Sequence, residues 1–375
     1  MIINKNVKCT SCGMCEVVCK QDSIKIKLSA EGYYRPYINN DKCNECGMCE
    51  KVCPAYRELM FSPYNGMAFS VFSRNSNTRK ESTSGGIAHE ISKIHFAKGF
   101  GVCGVKYDFI NDKAIHNIAK NGSEISEFKG SKYIQSNTVE AFKEIIQTLR
   151  DKKYIIFGTP CQIAAIEKYA NIVGKREHLV LVDFFCHGTP TYNLWKLYIN
   201  EAKQRLKAKK INGLNFRDKK YGWHNYTIAI EDSDGLHYSD RNIDKDLFYE
   251  MFLGNYCLNG SCYTCKFRTV YSKADIRVGD LWGSKYKNDT KGISGVIAFT
   301  DLGQQIISEL VDTCIIKTES LETIVEGQMK GDLDIPKARN KILVDLENEK
   351  ALQKIYSKRV IPIKIKRKII RVLRG

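Results

Sequence analysis

From residue 66 onward the apolar positions fall into short runs separated by polar or glycine-rich breaks. GMAFSVF (66–72) and FGVCGVKY (100–107) predict buried strands. SGGIAHEISKIHFAKG (84–99) has helical spacing, with Ser84 as N-cap and Gly99 as stop. NTVEAFKEIIQTLR (137–150) predicts a helix opened by Asn137 and Glu140 at capping-box spacing. YIIFG (154–158) and HLVLVDFFC (178–186) predict strands, and CQIAAIEKY (161–169) and PTYNLWKLYINEAKQRLKAKK (190–210) predict helices. Later short strands are expected at 211–216, 226–231, 275–279 and 295–300, and a last helix at about 337–356. This alternation predicts an α/β domain with a mostly parallel or mixed sheet.

The first 60 residues follow a different pattern. CTSCGMCEVVC (9–19) and CNECGMCEKVCP (43–54) repeat C-x2-C-x2-C-x3-C, separated by a hairpin-like stretch with Ile24, Ile26 and Leu28 alternating. This double spacing is the pattern of two-cluster ferredoxins. Three cysteines of a tight loop reach one [4Fe–4S] cubane, and the fourth crosses to the other. Cys9, Cys12, Cys15 and Cys53 are thus assigned to one cluster, and Cys43, Cys46, Cys49 and Cys19 to the second. Gly13 and Gly47 suit loops whose backbone N–H groups point at sulfur. Structural zinc is the alternative. The expected organisation is an α+β ferredoxin-like module at 1–60, an α/β flavin-binding domain at 61–345, and a helix end with a basic tail at 346–375.

The chain has 375 residues, 15 cysteines and a formal charge of +17. Repeated C-x-x-C spacing points to metal rather than disulfides. The start, MIINKNVKC, has no apolar leader core, and no run of about 18 apolar residues is present, so a cytoplasmic protein is expected. The basic charge suits nucleic acid, but no recognition motif for it is present, and bound clusters would lower the total. Clusters move one electron at a time, so a flavin is expected in the second domain to serve two-electron substrates.

The segments STSGG (82–86), KGSKYIQS (129–136), GTPCQIAA (158–165), DFFCHGTP (183–190), LNFRDKKYGWH (214–224), SCYTCKFR (261–268) and ADIRVGDLWG (274–283) stand in this order. Together they resemble the coenzyme F420 hydrogenase/dehydrogenase beta-subunit family over about residues 60–330. The resemblance implies an iron–sulfur flavoprotein oxidoreductase with FAD. The CHGTP run departs from deazaflavin-using members, so F420 itself does not follow. Cys161 follows one predicted strand and Cys186 ends another, which in a parallel sheet puts both at carboxyl ends, where α/β folds place ligands. The resemblance carries the same cysteines with Cys262 and Cys265, so these four are expected to hold a third [4Fe–4S] cluster. Cys257 competes for one position; the alternatives are a zinc-pinned loop, or two ordinary buried cysteines plus a fortuitous pair. Cys103 and Cys314 read as core thiols.

Candidate flavin contacts are Ser84, Gly85 and Gly86 before a helix; Gly130, Ser131 and Lys132; Gly158, Thr159 and Pro160; and Gly279 and Asp280. Plain caps and turns are the alternatives. His187 is the candidate proton donor, with His224 second. Arg217 and Lys219 are candidates for binding an anion. Expected partners are reduced ferredoxin or another electron donor and an unidentified small-molecule substrate. The tail KRVIPIKIKRKIIRVLRG (358–375) carries eight Lys and Arg and no acid, so it suits peripheral contact with a membrane surface. Two rivals stand beside the enzyme: a non-catalytic electron-transfer subunit serving a partner enzyme, and a zinc-bearing nucleic-acid-binding protein.

Overall fold

The computed structural model describes residues 8–56, 59–61, 64 and 66–374. The start MIINKNVKC, read above for a leader segment, lies mostly outside them. Among the described residues thirteen strands form three sheets. In chain order they are β1 (Ile24–Leu28), β2 (Tyr34–Ile38), β3 (Met67–Ser73), β4 (Gly101–Asp108), β5 (Lys113–Ile118), β6 (Tyr154–Gly158), β7 (Leu179–Phe184), β8 (Gly213–Asp218), β9 (Thr227–Asp232), β10 (Gly235–Asp240), β11 (Ile276–Asp280), β12 (Ser294–Ala298) and β13 (Cys314–Glu319).

The main sheet has the order β13-β3-β12-β11-β7-β6-β4-β5. Its centre, β4-β6-β7-β11, is parallel, and the strands added on either side are antiparallel. The sheet is mixed for a local reason. The alternating KAIHNI run of β5 returns directly along β4, while parallel neighbours require a crossover. β6 and the first four residues of β7 carry no charged residue, because both faces are covered. Tyr154 and Ile156 of β6 face one core with Leu179 and Leu181 of β7; Ile155 and Phe157 face the other with Val180 and Val182.

The cysteine-rich segment docks onto this layer. Met14, Val17, Val18 and Val52 join the same core as Phe142, Ile156 and Ile163. Tyr33 and Tyr34 enter a second core built around Trp195. Thr138 Oγ1 donates to Cys12 O at 2.8 Å, Lys168 Nζ to Cys53 O at 3.1 Å, and Asn259 Nδ2 to Cys9 O at 3.1 Å. The boundary near residue 60 therefore divides the sequence without dividing the core.

Three local expectations are corrected. Ser84 is not an N-cap: left-handed Gly86 precedes the helix Ile87–Ala97, and Ser84 Oγ donates to Ile293 O at 2.6 Å. Asn137 and Glu140 form no capping box; Asn137 Oδ1 accepts from Val139 N, and Glu140 is exposed. The capping box lies instead at Thr159 and Gln162, opening the helix Pro160–Ile172. The expected helix at 337–356 breaks into Arg339–Glu347 and Leu352–Ile355, because Glu349 takes a left-handed φ of 51°.

Candidate functional site

The two cysteine loops are built alike. Ser11 and Glu45 take left-handed φ values of 62° and 54°, which turns their N–H groups back onto Cys9 Sγ at 3.4 Å and Cys43 Sγ at 3.3 Å. These amide-to-sulfur bonds are of the kind that stabilise thiolate sulfur around a cluster. Burial and neighbouring Cys53, Cys161 and Cys9 hold the Cys12 thiol well above its usual range; Cys12, Cys9 and Cys53 also border Cys15. Cys15, Cys19, Cys43 and Cys49 gather with Ile24 and Ile38. The loops differ in burial: Cys12 and Cys49 are buried, but Ser11 and Gly13 are buried too, while Asn44, Glu45 and Cys46 face solvent.

The late pair, Cys262 and Cys265, comes to the mouth of the parallel strands. Cys161 stands in the first turn after β6 and Cys186 two residues after β7. Burial raises the Cys161 thiol, with Cys186, Cys265 and Cys262 adding to the effect; burial likewise pushes Cys186 up to about 12, beside Cys262 and Cys265. Gly188, at φ 136°, lets the 186–189 loop approach; a Cβ there would lie 3.1 Å from Cys262 Cβ. The first loop also reaches this group, with Cys161 Sγ 3.9 Å from Thr10 O. Cys257 stands apart in the Trp195 core, where burial alone suffices to lift its thiol to about 12. Cys103 and Cys314 are buried in β4 and β13. Among the described residues, no group of three His, Cys, Asp or Glu side chains stands ready to hold a metal ion.

Beside Cys186 opens a cavity of about 660 Å³, within the range of small-molecule sites. Ser84, Gly86, Gly130, Ser131, Lys132, Gly158, Thr159, Gly279 and Asp280 line it, as do His187 and His224. Two expected contacts do not. Gly85 is wedged under the sheet: its N–H donates to Ser294 Oγ at 3.0 Å, and a Cβ would lie 2.3 Å from Val71 O. Pro160 is buried as the first residue of its helix.

Several lining groups are already engaged. Lys132 Nζ donates to Glu127 O and Lys129 O, both at 2.9 Å, and burial lowers its amine to about 7. His187 Nε2 donates to Asn255 Oδ1 at 2.8 Å, and burial lowers its pKa. Asp280 Oδ1 accepts from Trp223 Nε1 at 2.8 Å, steadying the Trp223–Trp282 stack. Arg217 and Lys219 are not free anion binders. Arg217 lies against Tyr226 and donates to Asn225 O and Trp223 O, and Lys219 donates to three carbonyls.

Other cavity groups went unnoticed in the sequence. His89 Nδ1 and Arg268 Nε are buried polar atoms without a protein partner. Such atoms fit a cavity whose ligand brings its own polar groups. Arg268 also donates to Cys262 O at 2.7 Å, so it links the thiol group to the cavity. Arg277 of β11 pairs in register with Asp183 of β7 and binds it through two bonds, of 2.7 and 2.6 Å. It also donates to the carbonyls of Phe267, Thr269 and Tyr271, the loop after Cys265. The visible signal was a charged residue inside each apolar run, LVLVDFF and ADIRVGD.

Residues 8–56 match the model of a 4Fe-4S dicluster domain, which makes this an iron–sulfur protein of the electron-transfer class. Residues 151–324 match the family model for the C-terminal part of the coenzyme F420 hydrogenase/dehydrogenase beta subunit. Over that stretch, a little under half of its length, the chain is similar to this beta-subunit family. The coenzyme F420 hydrogenase subunit beta of Methanococcus voltae is 23% identical over 222 residues, covering 57% of this chain and 69% of that protein. A structure of the xenon-derivatised F420-reducing [NiFe] hydrogenase complex from Methanosarcina barkeri aligns with 80% of this chain and 95% of the matched chain, at 20% identity and a TM-score of 0.48.

Proposed function

We propose that the chain is a ferredoxin-linked iron–sulfur flavoprotein oxidoreductase. Cys9, Cys12, Cys15 and Cys53 would hold one [4Fe–4S] cluster, and Cys43, Cys46, Cys49 and Cys19 a second. Cys161, Cys186, Cys262 and Cys265 would hold a third, and the cavity would hold FAD. The observation that carries this reading is continuity. The first cysteine loop touches Cys161, Cys161 neighbours the other three thiols, and Cys186 lines the cavity.

The same continuity gives the relay a polarity. The second loop, open to solvent at Cys46, is where an external one-electron carrier such as reduced ferredoxin would meet the chain. The buried first loop is the inner station. A bound flavin would supply interconversion of single electrons and electron pairs for an organic substrate. The chain's own residues then have separate tasks. His89 and Arg268 would meet polar groups of the cofactor. Arg277 fixes the loop after Cys265, whose Phe267 and Thr269 line the cavity. Asn255 holds the His187 ring at the wall, where it would carry a proton to or from substrate.

Iron and flavin per chain, measured on anaerobically purified protein, test this. About twelve irons and one flavin are expected, with about eight irons in Cys262→Ala and no change in Cys257→Ala. His89→Ala is expected to lower flavin occupancy with iron intact. About eight irons in both the wild type and Cys262→Ala would remove the third cluster.

A second reading is favoured by the relative from Methanococcus voltae, which is named as a hydrogenase subunit. In it the chain passes electrons to a partner enzyme without its own substrate. Full iron with no flavin, even after reconstitution, would select this reading. Saturable turnover of a small substrate by the isolated chain would exclude it.

A further inference from the structure

The last described helix, Ile361–Arg374, continues from a π-helical turn at Tyr356–Val360. Its root is fixed to the body. Lys364 pairs with Glu250, which also accepts from Tyr356 OH at 2.6 Å, and Arg359 Nε donates to Asp345 Oδ2 at 2.6 Å. Ile363 packs against the Trp195 core. Each helical residue turns by about 100°, so Ile363 and Lys364 mark the side facing the body.

Ile361, Ile365 and Ile369 recur at every fourth position on the opposite side and remain 36%, 54% and 54% exposed. Lys366 is exposed beside them. The body thus uses one face of this helix and leaves a continuous apolar stripe on the other, in a segment with no acidic residue. The helix does not span: no helix among the described residues is long and apolar enough to cross a membrane.

We infer that Ile361–Arg374 is an in-plane docking helix for an anionic lipid surface. The Ile361–Ile365–Ile369 stripe enters the acyl boundary, and the basic segment meets lipid phosphates. Charge and apolarity together select this occupant. A nucleic acid would neutralise the cations and leave the isoleucines in water. A second copy of the helix would cover the isoleucines but bring like charges together. A lipid surface satisfies both. Because the stripe points away from Glu250 and the Trp195 core, the body would sit outside the bilayer.

The test is sedimentation of the full chain, as purified, with vesicles of phosphatidylcholine alone or with phosphatidylglycerol mixed in at about one part in three. Phosphatidylglycerol is expected to raise binding by about tenfold, with loss at high salt. The double substitution Ile365→Glu with Ile369→Glu is expected to abolish it while the visible absorption and iron content stay unchanged. Absence of binding by the wild type overturns the inference. So does undiminished binding by the double variant, which would mean charge alone acts. Preferential binding of polyuridine, with vesicle binding suppressed, overturns it in favour of nucleic acid. A concentration-dependent dimer abolished by the same substitutions, without vesicle binding, assigns the stripe to a second copy.

Discussion

Arg277 combines two structural duties in one side chain. Its guanidinium neutralises Asp183, where both side chains are almost wholly buried, and satisfies three carbonyls of the 267–271 loop. Removing one partner of a buried pair leaves an uncompensated charge, at a cost of roughly 3–5 kcal/mol. Arg277→Met is therefore expected to lower unfolding free energy by about that amount and to raise hydrogen exchange at 267–271. Adding Asp183→Leu is expected to restore much of the global stability, since the orphan charge goes, and to leave the loop exchanging fast. An Arg277→Met protein as stable as the wild type would remove the pair from this role. His116 acts differently. Burial holds its pKa at about 4, against an ordinary 6.5. Below 6.5 the unfolded chain takes up a proton that the folded chain refuses. Its contribution is thus complete above 6.5 and declines as pH falls toward 4, by about 3 kcal/mol in all. Denaturant midpoints of wild type and His116→Gln should accordingly converge as pH is lowered from 7 to 5; a constant gap would contradict the buried neutral imidazole.

At the scale of elements, two short helices with near-identical sequences meet different surroundings. Gly13 and Gly47 both precede a helix with positive φ, 79° and 71°. A Cβ on Gly13 would lie 2.5 Å from Thr138 Oγ1, whereas a Cβ on Gly47 would meet nothing within 4 Å. Gly47→Ala should cost only the left-handed strain of about 1–2 kcal/mol. Gly13→Ala should cost a further 1–3 kcal/mol or so, because the methyl also pushes against the helix Val139–Thr148 and the Thr138–Cys12 bond. Equal melting temperatures of the two variants would show that the first loop is not tightly docked. The capping boxes teach the same lesson. Asn137 and Glu140 had the spacing, and Thr159 and Gln162 had the burial: Gln162 is fully enclosed and accepts from both the N–H and the hydroxyl of Thr159.

Across the whole molecule, three cysteine groups and one cavity form a continuous series from a solvent-facing loop to the carboxyl ends of β6 and β7. The series exists because the cysteine-rich segment shares its core with the main sheet. Met14 and Val52 sit among Phe142, Ile156 and Ile163 instead of forming a separate globule. The late C-x-x-C pair stands within this series. On its own it offers two sulfurs, and the fold supplies two more from loops after adjacent parallel strands.

Much of this was legible in the sequence because local spacing constrains local geometry. Three cysteines three residues apart suit a tight loop, a short apolar run between breaks suits a buried strand, and a loop after a parallel strand opens at a ligand-binding edge. The segments that carry the family resemblance also hold nine of the expected flavin contacts that line the cavity. Tertiary structure decided what depends on neighbours distant in the chain. It set Cys257 apart from the other late cysteines, buried one cysteine loop while leaving its repeat in solvent, and engaged Arg217 and Lys219 in backbone carbonyls. It also left His89 Nδ1 and Arg268 Nε buried without a protein partner in residues that line the cavity. The reason is that a side chain's chemistry is fixed by its covalent structure, while its burial, charge and partners are fixed by whichever elements pack against it.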